Sequence, residues 1–199
     1  MTLVEFLYDF ASPNSYVAYH KLREMRTRRK IELRLFPLFL GGLFQSTGDA
    51  PVPAGSHEYN YMVKSLERIS RDIGLEFNFP HAIFPINSVR ALRGSYLAES
   101  EGRVRDYVST MFEEYWVKGR DISDPKNLGV IAGAVGLGRE RFLEFIEREE
   151  TKLRLRKDTE TAYRRGVFGA PTYFVDGSMY WGTPEVLWYL DARLARLGG

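Results

Sequence analysis

The residues best suited to chemistry stand at one turn near the N-terminus, where the chain reads Ser12-Pro13-Asn14-Ser15. Serine before proline is typical of a helix start, because serine caps free backbone N–H groups and proline fits the first helical position. A serine hydroxyl there can also donate a hydrogen bond to a bound thiolate, and the positive end of the helix dipole lowers the pKa of such a thiol. Ser12 is therefore either a helix cap alone or a helix cap that also serves catalysis.

Cysteine is absent from the 199 residues. The protein therefore forms no disulfide of its own, performs no dithiol exchange and offers no thiolate to a metal. The three histidines, His20, His57 and His81, are too scattered to indicate a metal site. We accordingly expect no metal and no thiol chemistry from the chain's own residues.

The elements around this turn can be predicted from the pattern of apolar residues. Aromatic and β-branched residues over 3–10 indicate a buried strand, helical spacing covers 14–29, and alternation over 31–36 indicates a second strand. A right-handed crossover makes these two strands parallel. Residues 41–55 are predicted as a loop, and most of the next hundred residues as helices.

The C-terminal part returns to strands. Residues 171–176 and 179–181 form a predicted hairpin, and a final helix follows over 185–197. The order is β-α-β, a helical block, then β-β-α, which predicts an α/β unit split by an insertion. The predicted domains are 1–45 with 160–199 for the α/β domain and 46–159 for an all-helical insertion domain.

Composition and charge narrow the class of protein. Hydrophobic residues make up 44% and charged residues 27%, the balance of a folded protein. The formal net charge is +2, and the basic run at 26–30 fits a helix C-terminus better than a nucleic-acid site. No apolar run approaches the roughly 20 residues needed to cross a bilayer, and the N-terminus lacks a basic segment before an apolar core. We expect no nucleic-acid or membrane partner and a cytoplasmic location.

Three motifs occur in an order known from one family. Residues 9–16 (DFASPNSY) resemble the D-F-x-S-P-x-S-Y opening of 2-hydroxychromene-2-carboxylate isomerases. Residues 84–88 (FPINS) are similar to their F-P-x-N-S/T segment, and 166–172 (GVFGAPT) resemble their G-V-F-G-x-P-T loop, with an aromatic-Trp-Gly element at 180–182. These isomerases are a branch of the DsbA-like thioredoxin fold that includes kappa-class glutathione transferases. The resemblance implies an α/β thioredoxin-like domain interrupted by an all-helical domain.

The resemblance also implies a cofactor, glutathione or another low-molecular-weight thiol, and a homodimer. In a dithiol oxidoreductase the turn at Ser12 carries Cys-x-x-Cys, so here the serine hydroxyl would hold the thiolate of the bound cofactor. Pro171 would be cis, and the extended backbone at Ala170 would pair with the cysteinyl part of the thiol.

Two further regions are candidates for holding the cofactor. Thr183 and Glu185, in the first turn of the last helix, correspond to the family's γ-glutamyl site, where helix N–H groups take a carboxylate. Relatives commonly read W-G-N/Q/S-D at this turn, so the sequence departs from the family pattern here. Relatives also commonly carry Gly-Asn where this chain has an aspartate, which makes Asp49 a third candidate.

The substrate implied by the resemblance is a small aromatic oxo-acid. Its carboxylate requires a cation, for which Lys64 and Arg90 are candidates. Asn87 fits a substrate contact or a helix cap. Tyr61 and Trp181 fit an aromatic wall between the domains, although aromatic residues are more often part of a core.

Three functions are consistent with these residues. A thiol-assisted isomerase adds the thiolate to a conjugated carbon, lets the new single bond rotate and then eliminates the thiol unchanged. A glutathione transferase uses the same site but consumes glutathione. A non-catalytic thioredoxin-like binding module would instead grip an extended peptide segment of a partner.

Overall fold

The computed structural model describes residues 1–79, 81–182 and 185–197. Within them, four strands form one sheet: β1 is Thr2–Tyr8, β2 is Ile31–Pro37, β3 is Thr172–Val175 and β4 is Ser178–Trp181. Their order across the sheet is β2-β1-β3-β4. β1 and β2 are parallel, as the crossover predicts, whereas β3 is antiparallel to both β1 and β4. β1 is therefore an inner strand, and the chain leaves its C-terminal end directly into the turn at Ser12.

The helices in the described part of the chain number nine. They are α1 Pro13–Arg28, α2 Leu40–Thr47, α3 His57–Asp72, α4 Val89–Ser100, α5 Val104–Trp116, α6 Pro125–Ala134, α7 Arg139–Glu147, α8 Glu149–Arg164 and α9 Glu185–Arg196. The predicted helical block between the two groups of strands is confirmed by α3 to α8. The predicted domain boundaries, 45/46 and 159/160, fall inside α2 and α8, so the division into two domains stays a prediction.

One local prediction was wrong. The segment predicted as a loop over 41–55 begins with α2, which runs to Thr47 and ends at Gly48 in a left-handed conformation (φ 78°). The paired glycines misled the prediction, because they are poor helix formers. In the structure they make room for a ring: a Cβ added to Gly41 or Gly42 would lie 2.8 Å from an atom of the Phe39 side chain.

Buried aromatic side chains fasten the helical block to the end of β1. Tyr8 donates a hydrogen bond from its hydroxyl to Ser95 Oγ at 2.9 Å, and Trp116 donates from Nε1 to the Phe10 carbonyl at 3.0 Å. Both aromatic side chains are fully buried. Replacing a buried aromatic residue of this size by alanine typically costs about 3–5 kcal/mol. The position of the chain just before Ser12 is therefore fixed by packing from the helices as well as by the sheet.

Among the residues described, no helix has both the length and the apolar character required to cross a membrane.

Candidate active site

Ser12 caps α1, as predicted. Its backbone is extended (φ −90°, ψ 115°), its Oγ accepts a hydrogen bond from the backbone N–H of Ser15 at 3.1 Å, and Pro13 is the first helical residue. The same hydroxyl donates a hydrogen bond to the carbonyl oxygen of Ala170 at 3.1 Å. Ser12 thus bridges the N-terminus of α1 and the loop before β3, across 158 residues of sequence.

The loop before β3 contains a cis peptide bond between Ala170 and Pro171, in agreement with the resemblance. Pro171 is buried, and its carbonyl accepts a hydrogen bond from the backbone N–H of Gly182 at 3.3 Å. Thr172 Oγ1 donates to the carbonyl of Gly169 at 2.6 Å. These bonds hold the loop against the start of β3, so that Ala170 faces Ser12.

A cavity of about 590 Å³ opens beside this pair. Its wall includes the Ser12 turn, the start of α2 and the loop after it, the first turns of α3, the segment before α4, and the loop at Ala170. A cavity of this size lies within the range of small-molecule sites, roughly 300–1,000 Å³. Five predicted site residues line it: Ser12, Asp49, Asn87, Ala170 and Trp181.

The N-termini of three helices meet at this cavity. Pro13 of α1, Leu40 of α2 and Ser88, which precedes α4, all line it. Each helix N-terminus carries about half a positive charge from its unpaired N–H groups. The arrangement stabilises negative charge near Ser12, which is the electrostatic requirement for a bound thiolate.

Aromatic rings form much of the remaining wall. The lining rings are those of Phe39, Phe44, Tyr59, Phe84, Phe168 and Trp181. Phe168 and Trp181 lie with their ring centroids 4.8 Å apart. Gly169 is required beside this pair, because a Cβ there would come within 3.2 Å of Trp181 Cε2 and still closer to its ring nitrogen.

The charged residues of the wall share one sign. Among the described residues that line the cavity, the only ones with acidic or basic side chains are Asp9, Asp49 and Glu58. Glu58 and Asp49 are solvent-exposed at the cavity mouth, whereas Asp9 is buried.

The chain as a whole matches the model of a known family. The DsbA-like thioredoxin domain matches residues 3–191. The chain belongs to this family. The predicted fold class is thereby confirmed.

Curated relatives that are similar in sequence to this DsbA-like chain include enzymes. It is 28% identical over 192 residues to 2-hydroxychromene-2-carboxylate isomerase from Sphingobium xenophagum, which covers 92% of this chain and 93% of the relative. It is 25% identical over 190 residues to glutathione S-transferase kappa 1 from Rattus norvegicus, covering 89% of this chain and 84% of the relative. A solved structure of a 2-hydroxychromene-2-carboxylate isomerase superposes with a TM-score of 0.88 at 26% identity, over 98% of this chain and 95% of that one.

The other predicted site residues that the structure describes do not line the cavity. Lys64 is exposed on α3, and Tyr61 is 64% exposed. Arg90 Nε donates to Glu147 Oε1 at 2.6 Å, on the side of α4 that meets α7. Glu185 is exposed at the start of α9, and Pro171 lies behind Ala170. The predicted residue Thr183 lies outside the described residues.

The position of Asn87 is compatible with both of its predicted roles, a helix cap and a substrate contact. Its Oδ1 accepts a hydrogen bond from the backbone N–H of Val89 at 3.1 Å, so it caps the start of α4, and the residue also lines the cavity. Ser88, although it stands next to the first residue of α4, makes no side-chain cap. Its hydroxyl is directed to Asp9 instead.

Asp9 is a buried polar residue of the cavity wall whose role the sequence reasoning missed. It is 1% exposed, and its carboxyl accepts hydrogen bonds from the Ala11 N–H (2.9 Å), the Leu40 N–H (2.9 Å) and the Ser88 hydroxyl. Burial raises the pKa of Asp9, and these donors only partly offset that effect. The available signal was an aspartate between a buried strand and a helix-start turn.

Proposed function

We propose that this protein is an enzyme that uses the thiol of bound glutathione, or of another low-molecular-weight thiol, to isomerise a conjugated aromatic compound. One observation carries the proposal: the Ser12 hydroxyl stands at the N-terminus of α1 and faces the Ala170 carbonyl beside a cis proline, at the wall of a cavity. The names of the relatives, an isomerase of an aromatic carboxylate and a glutathione transferase, support the same reaction class.

The residues of the site fit a thiol cofactor. When bound, the thiol supplies a nucleophile that adds reversibly to a conjugated carbon and so lets a double bond rotate. Ser12 would turn its O–H from Ala170 toward the sulfur, while the N-terminus of α1 favours the charged form. Ala170 offers extended backbone to the cysteinyl part. The Asp49 carboxylate suits the ammonium group of the γ-glutamyl end.

The rest of the cavity would orient the reacting compound. Six aromatic rings line it, and planar aromatic compounds stack on such rings. Holding the conjugated carbon near the sulfur lowers the entropic part of the barrier. The resemblance implies an aromatic oxo-acid as this compound.

Glutathione transfer is the second candidate function, because one group of relatives bears that name. The two reactions share the thiol site and differ in the fate of the cofactor. An isomerase returns glutathione unchanged, whereas a transferase consumes one molecule in each turnover. Following free thiol during the reaction therefore distinguishes them.

A homodimer is part of the proposal. β4 lies at the edge of the sheet, and α9, whose Tyr189 ring lies 6.0 Å from that of Tyr180 in β4, exposes Trp188 and Tyr189. Large exposed apolar side chains that cluster in this way commonly mark interfaces. Sedimentation velocity of the purified protein tests this: a single species of monomer mass at micromolar concentration would contradict it.

The experiment for the thiol site is calorimetric titration with glutathione, combined with ultraviolet absorbance of the bound thiolate as a function of pH. We expect binding, and a pKa of the bound thiol below that of free glutathione. Ser12→Ala should raise that pKa. Asp124→Ala is a matched control, because Asp124 caps α6 just before Pro125 and lies outside the cavity.

Failure of glutathione and of other small thiols to bind at millimolar concentration would contradict the proposal. So would an unchanged thiol pKa in Ser12→Ala, since the hydroxyl would then have no contact with the sulfur.

A further inference from the structure

The carboxylates of the cavity make no compensating ion pairs. Asp49 and Glu58 line the cavity, and neither forms an ion pair with another described residue. Lysine, arginine and histidine do not occur among the described lining residues. A carboxylate placed at this mouth would therefore meet negative charge and no lining cation. Because Asp49 and Glu58 are exposed, solvent and salt weaken the repulsion.

The two cations predicted to bind a substrate carboxylate, Arg90 and Lys64, do not line the cavity. Arg90 forms a 2.6 Å ion pair with Glu147, and the guanidinium of Arg93 lies 3.9 Å from the same carboxylate. Lys64 is two residues beyond Met62, the last residue of α3 that lines the cavity. At 100° of rotation per residue this puts Lys64 on a different face of the helix from Glu58, Tyr59 and Met62.

Part of the donor capacity beside Asp9 is already used. The Ala11 N–H, the Leu40 N–H and the Ser88 hydroxyl all donate to Asp9. The protein's own carboxyl thus takes the first N–H of α2, a kind of group that commonly binds carboxylates.

We infer that the compound accepted beside the thiol is an aromatic electrophile without an anionic group, such as a conjugated aryl ketone, aldehyde or ester. The aromatic wall supplies the affinity for the ring. Glu58, and Asp49 where it is not paired with the ammonium of glutathione, disfavour the corresponding acid. This inference rests on the proposed function for the reaction, but the charge preference is a property of the cavity that can be measured by binding alone.

Two inert compounds test the preference. Benzylacetone and benzylpyruvate share the phenyl ring, the chain and the ketone, and they differ only in a methyl group against a carboxylate. Calorimetric titration of the full-length protein should give a dissociation constant for benzylacetone at least about tenfold lower. The difference should shrink as salt is added, because screening weakens charge repulsion at an exposed mouth but leaves shape effects unchanged.

The charge at the mouth can be reversed at one position. Glu58→Lys should reduce or invert the preference. Glu67→Lys makes the same change on the same helix at an exposed position outside the cavity, and it should leave the ratio within about twofold of wild type. If the effect came from the net charge of the protein, Glu58→Lys and Glu67→Lys would change the ratio of the two dissociation constants equally.

The reacting counterparts extend the test to turnover. The cis isomers of benzylideneacetone and benzylidenepyruvate are followed by absorbance with glutathione present, and each rate is divided by that of free glutathione. We expect the larger enhancement for the ketone.

Three results would overturn the inference: tighter or equal binding of benzylpyruvate, a larger enhancement for benzylidenepyruvate, or no measurable binding of either inert compound. Failure of the proposed function has a different signature. In that case glutathione does not bind or does not affect the rates, while the preference for the uncharged inert compound persists.

Discussion

The two ends of the cavity are built differently. At the thiol end, Ser12 and Asp9 are 4% and 1% exposed, and the oxygens of both side chains are tied to backbone groups by hydrogen bonds. At the mouth, Asp49, Pro51 and Glu58 are exposed; the first two belong to the loop between α2 and α3, and Glu58 to the first turn of α3. The groups proposed to hold the thiol thus stand on the ends of β1 and α1, whereas those proposed to select the reacting compound stand on a loop and one helical turn.

This difference separates catalysis from specificity. A thiolate needs its donor within a fraction of an ångström, and such positions are better held by packed strands and helices than by loops. A change of substrate, in contrast, requires only that side chains at the mouth change, and loops tolerate such change. Variants at the two ends should therefore fail in different ways.

The largest effect is expected at the thiol end. Ser12→Ala removes the hydrogen-bond donor to the sulfur, and loss of one such donor typically lowers kcat by about 100- to 1,000-fold. Loss of the cap should also lower the free energy of unfolding by about 1 kcal/mol. Steady-state kinetics and urea denaturation measure the two effects.

Asp124→Ala again serves as the control, since it should lower stability by a similar amount and leave kcat unchanged. If both variants lost activity equally, Ser12 would be a cap alone. The thiol end would then be no more catalytic than any other helix start.

The second prediction concerns Asp9 and pH. Burial raises the pKa of this carboxyl above its ordinary 3.8, so the folded state holds the proton to a higher pH than the unfolded state does. The free energy of unfolding should therefore fall as pH rises through the interval from 3.8 up to the raised value. Asp9→Asn has no carboxyl there, and that fall should disappear.

The same variant has a cost that does not depend on pH. An asparagine NH₂ cannot accept from the Leu40 N–H, and an unpaired buried donor costs about 1–3 kcal/mol. Asp9→Asn should thus be less stable than wild type near pH 4, with the difference narrowing toward neutral pH. Asp106→Asn, at an exposed position in α5, should keep the wild-type slope in urea denaturation. If the free energy of unfolding of Asp9→Asn and that of wild type changed with pH in the same way, the raised pKa of Asp9 would be contradicted.

Local signals in the sequence were enough to find Ser12 and the loop at Ala170, which the structure brings into contact. Ser12 was recognisable from the serine–proline pair, and the loop at Ala170 from its resemblance to a family motif. The role of Asp9 was not recognisable, because its partners Leu40 and Ser88 are 31 and 79 residues away. No local pattern in the sequence around Asp9 indicates that two helices far along the chain begin beside its carboxyl.

The mouth of the cavity was harder to predict for a related reason. Asp49 and Trp181 were found, but Tyr61 and Lys64 were chosen where the lining residues of α3 are Glu58, Tyr59 and Met62. Those three fall on one helical face at spacings of one, three and four. Periodicity could have excluded Lys64, but which face of α3 meets the cavity depends on how the helix packs against α1.

The third prediction concerns the mouth. Asp49→Asn removes a carboxylate but keeps the size of the side chain, and the proposed partner is the ammonium of glutathione. Because Asp49 is exposed, an ion pair there is worth about 0.2–1 kcal/mol, so the dissociation constant of glutathione should rise only a few-fold. Calorimetry at low and high salt checks this, and the wild-type advantage should vanish at high salt. A loss of kcat instead would place Asp49 with the thiol end.

The smallest effect is expected for the two cations. Lys64→Ala and Arg90→Ala should leave kcat and KM for aromatic ketones and for the matching oxo-acids within about twofold of wild type, because neither residue lines the cavity. Arg90→Ala also breaks the exposed ion pair with Glu147, which is worth about 0–1 kcal/mol of stability. A rise in KM of tenfold or more, confined to the oxo-acid, would mean that a cation reaches the mouth when substrate binds. The comparison between the two ends would still hold in that case, since kcat would be untouched, but the mouth would then select an anionic electrophile rather than exclude it.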